Sequence, residues 1–449
     1  MRFSRLVSLI SLTIFCALGL VIVSSWATRH AILSGQRFSA GVRKSVLALA
    51  EFPAIARSLV EFLNNYLPPK GVSNIYSNYL EVAHGSNSIS GSLLVSYISS
   101  NGSNIVSLIN LSNRSNQILN LPASNGEKAK YSDFLIGSEP RRQNSFSSRH
   151  RVWHPHLSKD GTLTYIIPWN DLISLNLKTG KEKWRVRGAF QHSLEPDANG
   201  DVWVCGAVQP GSIPNHKPET RHSNKLFEDQ ALVKVSQSGK ILQLISVADL
   251  ILNSGLEYLL YGSSNPNVNF DPIHLNQITP ILNDSGVFKK GQILVSLRNI
   301  STIILIDPVS QSVVWHGSGN WMNQHCVVPV GPSTFSVLDN HSFASGEYWL
   351  NSAWRTRIVT HNIETSKSSE IRFNDESPRD FRIPIEGRAL PVSSNHWMIE
   401  DCLNGTIMIF GNQKLVFKWS NLYHDGTVGI TSWCRYMSSE NVPEFLYNK

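Results

Sequence analysis

The stretch Ile304-Leu305-Ile306-Asp307-Pro308-Val309-Ser310-Gln311-Ser312-Val313-Val314-Trp315 decides the fold. An apolar run stops at Asp307-Pro308, where a carboxylate and a fixed-φ residue favour a turn, and a second β-prone run follows and closes on Trp315. This is a β-hairpin with a polar tip. Five other segments read the same way: Ser107 to Ile118, Ser174 to Trp184, Leu232 to Leu242, Val359 to Ile371, and Ile407 to Trp419. The six starts are separated by 67, 58, 72, 55 and 48 residues. That spacing is too irregular for a short-period repeat, but it suits four-stranded blades joined by loops of unequal length. One blade cannot bury both of its faces, whereas blades packed in a ring bury each other. The expectation is all-β, a six-bladed β-propeller over residues 76–449. The alternative, a β-sandwich with long hairpins, rarely needs so many similar hairpins.

Outward from the hairpins, the N-terminal part has a different texture. Arg2 and Arg5 precede an uncharged apolar stretch from Leu6 to about Trp26, long enough at about 1.5 Å per residue to span a bilayer as a helix. Residues 1–27 are expected to be a signal anchor or transmembrane segment that exports the body, membrane-anchored by a single pass. The alternative is secretion after cleavage near Ser25-Trp26-Ala27. Apolar residues at three- and four-residue steps (Val42, Val46 and Leu49, then Phe52, Ile55, Leu59, Phe62 and Leu63) predict two short helices. They stop at Pro68-Pro69-Lys70-Gly71, so residues 28–75 read as a helical stalk.

Composition bounds the class. Hydrophobic residues make up 41% and charged residues 16%, which suits a globular core and excludes a disordered or coiled-coil chain. The net charge of +7 favours anionic ligands or an anionic membrane surface. The densest basic run, Arg141, Arg142, Arg149, His150 and Arg151, carries no nucleic-acid-binding pattern and reads as a solvated loop. Nucleic acid is not an expected partner. The body holds Cys205, Cys326, Cys402 and Cys434 without a CxxC pair, so disulfides and buried free thiols both stay open. His154 and His156 form an HxH pair with no further spaced ligands, and no metal or cofactor is expected.

Three segments carry the candidate chemistry, each beside a repeated hairpin: Gln191-His192-Ser193, Asp271-Pro272-Ile273-His274-Leu275-Asn276, and Asn323-Gln324-His325-Cys326. The innermost strand of a blade lines the central channel, so residues remote in sequence can converge there. Singly, each histidine is more often a structural hydrogen-bonding residue; three in analogous places of consecutive blades point to a site. The series Asp271-x-x-His274-x-Asn276, Ser296-x-Arg298-Asn299, Asp307 to Trp315, Gln324-His325 and Leu338-Asp339-Asn340 resembles the core of the arylsulfotransferases, across roughly residues 150–345. The resemblance implies a six-bladed propeller. It also implies a nucleotide-independent sulfotransferase that moves a sulfuryl group from an aryl sulfate to a hydroxyl acceptor through a sulfated histidine. By position it makes His325 the nucleophile, with Arg298, His274 and His192 beside it as catalytic neighbours and Asn276 orienting a histidine or binding sulfate. Imidazole is a neutral nucleophile and a competent leaving group, and a guanidinium stays charged while donating to sulfate oxygens.

Two positions depart from the family pattern: Cys326 follows the nucleophile where a polar residue is usual, and His341 stands where glycine is common. Cys326 reads as a small packed residue and His341 as a surface turn. The alternative function is a non-catalytic, envelope-anchored propeller that binds protein or glycan, which would spread these residues over the rim instead of gathering them. A quinone-dependent dehydrogenase is a weaker option, since no acidic calcium-binding cluster is evident. Partners are then the small-molecule donor and acceptor and the membrane, with a homodimer left open. Substrate choice is expected in the loops at 205–229 and 253–273.

Overall fold

A computed structural model of the chain describes residues 89–100, 102–121, 152–208, 229–262, 271–342, 355–373, 383–423, 426 and 428–447. The expected anchor (1–27), the stalk (28–75), the basic run at 141–151 and much of the two loops lie outside them. Among the described residues no helix is long and apolar enough to cross a membrane.

Among the same residues 24 strands form six four-stranded antiparallel sheets. Blade 1 holds β1 (Ser92–Ile98), β2 (Asn104–Asn110) and β3 (Asn116–Leu119). Blade 2 holds β4 (Trp153–Leu157), β5 (Thr162–Ile166), β6 (Asp171–Asn176) and β7 (Lys181–Arg187). Blade 3 is β8 (Ala189–Pro196), β9 (Val202–Val208), β10 (Asp229–Val235) and β11 (Ile241–Ser246). Blade 4 is β12 (Leu275–Pro280), β13 (Ile293–Leu297), β14 (Thr302–Asp307) and β15 (Ser312–Ser318). Blade 5 comprises β16 (His325–Gly331), β17 (Thr334–Asp339), β18 (Arg357–Asn362) and β19 (Lys367–Ile371), and blade 6 β20 (Arg388–Ser393), β21 (His396–Asp401), β22 (Thr406–Gly411) and β23 (Lys414–Ser420). The last strand, β24 (Arg435–Met437), pairs with β1 through Ser92 opposite Met437 and Leu94 opposite Arg435. It supplies the inner strand of blade 1 and closes the ring.

Each hairpin recognised in the sequence is the outer pair of a blade. Their turns are held by short polar side chains: Asn110 Oδ1 accepts from Ser112 N at 2.9 Å, Asn176 Oδ1 from Lys178 N at 2.9 Å, and Asp307 Oδ1 from Val309 N at 2.9 Å. These side chains mimic a backbone turn, which is why Asn and Asp recur at the hairpin tips. The apolar run of β14 has the matching explanation. Side chains alternate across a strand, so Ile304 and Ile306 enter a core shared with blade 3, while Ile303 and Leu305 enter one shared with blade 5. Six buried apolar clusters fill the six seams in this way, the last joining Leu93 and Val95 of blade 1 to Ile407 and Ile409 of blade 6. One departure from all-β is the helix α1 (Val247–Asn253) after β11. Ser246 caps it by accepting from Asp249 N at 3.1 Å, and Val247, Leu250 and Ile251 are buried beneath it.

Candidate active site

The first strands of the blades pack side by side around the channel, β4 against β8, β8 against β12, β12 against β16 and β16 against β20. They enter it on irregular backbone. Pairing slips between Trp153 and His156, Gln191 and Leu194, Leu275 and Gln277, and His325 and Val328. His154, His192, His274 and Cys326 sit at these entries with φ of 51°, 49°, 51° and 53°. Left-handed backbone costs a non-glycine residue on the order of 1 kcal/mol, and bulges re-aim side chains, so the strain is concentrated where side chains turn toward the channel.

His325 opens β16 and is 1% exposed. Its Nδ1 lies 2.7 Å from Asn340 Oδ1. The amide of Asn340 donates through Nδ2 to the carbonyls of Ile383 and Glu386, both at 2.8 Å, which fixes the other end as the acceptor. His325 Nδ1 therefore carries the hydrogen, and Nε2 holds the free lone pair. Gly387, at φ 90°, makes this bridge reachable: a Cβ there would meet Glu400 O at 2.9 Å and Leu338 Cδ2 at 2.9 Å. Burial, then the Arg298 guanidinium, hold His325 down to about 3, against a smaller opposing effect of the Asn340 hydrogen bond. The ring is neutral at pH 7.

His274 is oriented from the other side. Its Nδ1 lies 2.6 Å from Asp271 Oδ2, and its backbone N–H donates to Asp271 Oδ1 at 2.9 Å. Arg298, directly after β13, is anchored to the same loop, since its N–H donates to His274 O at 3.0 Å and its Nη1 to Asn299 Oδ1 at 2.9 Å. Asn299 in turn donates to Asp271 O at 2.7 Å. The His192 ring meets the His274 ring edge-on at 4.9 Å between centroids, and the Trp153 ring lies 5.5 Å from it. Burial, then His274, His325 and Arg298, push His192 well below the ordinary histidine range. These mutual electrostatic effects join His192, His274, Arg298 and His325 in one cluster. The buried Nδ1 of His192 and Nε of Arg298 have no hydrogen-bond partner among the described residues, a destabilising state that an anionic ligand's oxygens would relieve.

Asn276 is placed differently from a ligand contact. It is fully buried, and its Nδ2 donates to Gln324 O at 2.7 Å, tying β12 to the residue before His325. Gln324 is itself held by Ser296 Oγ at 2.9 Å. Asp271 and Asn340 stood in the quoted motifs without an assigned role; their spacing from the histidines was the available signal, and only the fold shows which atoms meet. Trp153 carried no signal beyond its place before the second hairpin. Cys326 is buried and its thiol donates to Ala389 O at 3.4 Å, and Cys205, Cys402 and Cys434 are likewise buried free thiols. His154 stacks on Trp433 at 3.8 Å, and His341 is half-buried in a left-handed turn near Arg355 O.

The site can be set against known proteins. No curated protein matches the chain. Among solved structures it is similar to a protein of unknown function from Bacteroides caccae, at 14% identity over 78% of this chain and 99% of that one, with a TM-score of 0.46. The RRP9 WD40 repeats (6% identity, 63% of this chain and 64% of the other, TM-score 0.35) and U3-55K (7%, 63% and 65%, 0.34) are more distant. Residues 162–421 match the sequence model of the Arylsulfotransferase (ASST) family. That span exceeds half the chain and contains His192, His274, Arg298, His325 and Asn340, and the chain belongs to the arylsulfotransferase family.

Proposed function

We propose that the protein transfers a sulfuryl group from an aryl sulfate to a hydroxyl acceptor through a covalent sulfo-His325 intermediate. The observation that carries this reading is the Asn340 contact, which leaves His325 Nε2 unprotonated in a neutral, buried ring. In the first step the Nε2 lone pair attacks sulfur, the N–S bond forms and the S–O bond to the aryl group breaks. The departing phenolate takes a proton from His274, whose ring is steadied by Asp271. In the second step His274 accepts the proton of the incoming hydroxyl, the acceptor oxygen attacks sulfur and the N–S bond breaks, returning the imidazole to its starting form. Arg298 and His192 supply hydrogen bonds to the sulfuryl oxygens. Asn276 holds the peptide before His325 in place. The apolar N-terminal segment supports display of the propeller outside the cytoplasm on a membrane anchor.

His325→Ala is expected to abolish transfer from a chromogenic aryl sulfate while keeping the wild-type circular dichroism spectrum. Rapid quenching with phenyl sulfate in the absence of acceptor should trap an adduct of about 80 Da, the mass of SO3, on the peptide containing His325. An adduct on another residue, or none across a broad donor panel, would count against the mechanism. For the anchor, the full chain should remain with the membrane pellet after alkaline extraction.

A further inference from the structure

A few residues further along the same inner strands, the channel is crossed by a layer of buried charge. Glu195 of β8 accepts from Arg435 Nη1 at 2.6 Å and from Arg388 Nη2 at 3.3 Å. Arg435 also donates through Nε to Pro155 O at 2.7 Å and through Nη2 to Leu194 O. Arg388 lies over the Trp433 ring, 4.9 Å from its centroid, and Trp433 stacks on His154. Burial pushes the Glu195 carboxyl up, but Arg435 and Arg388 outweigh it and hold that group below its ordinary range, so it is ionised.

Beneath this layer lies a cavity of about 540 Å³, within the range of small-ligand sites. Residues after the catalytic positions line it, Thr279 of β12, Val328 of β16 and Leu390 of β20 among them. Along β8, β12 and β16 its lining residues Glu195, Thr279 and Val328 come after His192, His274 and His325, toward the far ends of those strands. We propose that this cavity is a second binding site, separate from the sulfuryl-transfer centre, for a small organic anion with an apolar body.

Charge and shape carry the assignment. The lining carries two guanidiniums and the exposed ammonium of Lys159 against the one carboxylate of Glu195; Glu400 also acts on Arg388 but lies outside the lining, and burial pushes its carboxyl up, toward the neutral form. Burial and Arg435 hold His156 down to about 4, so its ring adds no charge at neutral pH but offers a neutral hydrogen-bonding nitrogen. A cation would face the unbalanced guanidinium. An anionic head satisfies it through charge-assisted bonds, which are stronger than neutral ones. Leu157, Leu390 and Met437 give the walls an apolar surface for the ligand's body.

The test is calorimetric titration of the full chain with anilinonaphthalene sulfonate, compared with the uncharged phenylnaphthylamine. The sulfonate should bind, and the neutral analogue should bind at least tenfold more weakly. Leu390→Trp, which adds bulk to the apolar wall where the ligand's body would lie, should remove one bound sulfonate per chain or weaken it at least tenfold. Lys159→Glu, an exposed substitution, should weaken the same molecule several-fold. Equal binding of the neutral analogue would mean an apolar cavity with no preference for anions and would overturn the proposal. So would unchanged sulfonate binding in Leu390→Trp with a wild-type melting curve, or in Lys159→Glu should the tryptophan variant not fold.

Discussion

Removing the side chain of Asn340 tests the link between blade geometry and chemistry most directly. Asn340→Ala deletes three hydrogen bonds: the one accepted from His325 Nδ1 at 2.7 Å and the two donated to Ile383 O and Glu386 O at 2.8 Å. The carbonyl of Ile383 keeps a partner, because Thr356 Oγ1 donates to it at 3.3 Å. The imidazole loses its Nδ1 acceptor in a ring that is 1% exposed, so the dominant cost is one weakened buried donor, about 1–3 kcal/mol. The ring can escape part of that cost by moving its proton to Nε2 or by rotating, and either change removes the nucleophilic lone pair. At about 1.4 kcal/mol per tenfold, kcat/KM should fall about 10- to 100-fold. Urea unfolding should show a stability loss of about 1–3 kcal/mol with an unaltered slope. Asn340→Asp separates charge from position. A carboxylate there still accepts from Nδ1 but cannot donate to the two carbonyls, and it favours the protonated ring, so the rate should acquire an acidic limb absent from wild type. Transfer from nitrophenyl sulfate to phenol, followed from low to neutral pH, reads both effects. A folded Asn340→Ala protein with kcat/KM within twofold of wild type would refute the tautomer argument.

Other perturbations address other parts of the site. Arg298→Lys keeps the charge but loses the planar donor array, and kcat should fall about 10²- to 10³-fold with little change in KM. Asp271→Asn can present an amide N–H to His274 Nδ1, which imposes the wrong tautomer; about 100-fold or more in kcat should be lost, with the pH profile altered. Since His325 titrates at about 3 in the folded chain against 6.5 ordinarily, the unfolded chain binds that proton first. Its stabilising contribution is complete above pH 6.5 and declines by about 1.4 kcal/mol per unit as pH falls toward 3, a slope that His325→Gln should flatten in denaturation measured across that window. Glu195→Ala leaves Arg388 and Arg435 buried without their shared carboxylate, and unfolding free energy should fall by about 3–5 kcal/mol.

The outer hairpins were legible because their physics is local. A turn such as Asn176-Leu177-Lys178-Thr179-Gly180 closes on its own side chain, and the strand before it, β6, is buried on both faces because each face meets another blade. The inner strands follow neither rule. Bulges and left-handed residues interrupt the alternation in β8, β12 and β16, and polar side chains such as Gln191, Asn276 and Gln324 are fully buried there. The histidines were found through their recurrence beside the hairpins and through a family pattern. Their partners depend on contacts that sequence distance conceals: Asn340 reaches Ile383 and Glu386 across a blade seam, and Arg435 meets Glu195 from 240 positions away. Asn276 shows the limit of reasoning by residue type, since a buried amide between two polar motifs serves as well for joining strands as for holding sulfate.

The pairing of β24 with β1 has a consequence for how the molecule is made. The inner edge of β1 finds its partner only when β24 is available, so blade 1 lacks its inner strand throughout synthesis of the other five. A chain threaded across a membrane from its N-terminus would therefore wait in an open, unpaired form until almost the whole length had arrived. The same late strand carries Arg435, whose guanidinium meets Glu195 and Leu194 in blade 3. Ring closure and completion of the channel interior are thus one event, and nascent chains stopped before Arg435 should be degraded by proteases that full-length chains resist.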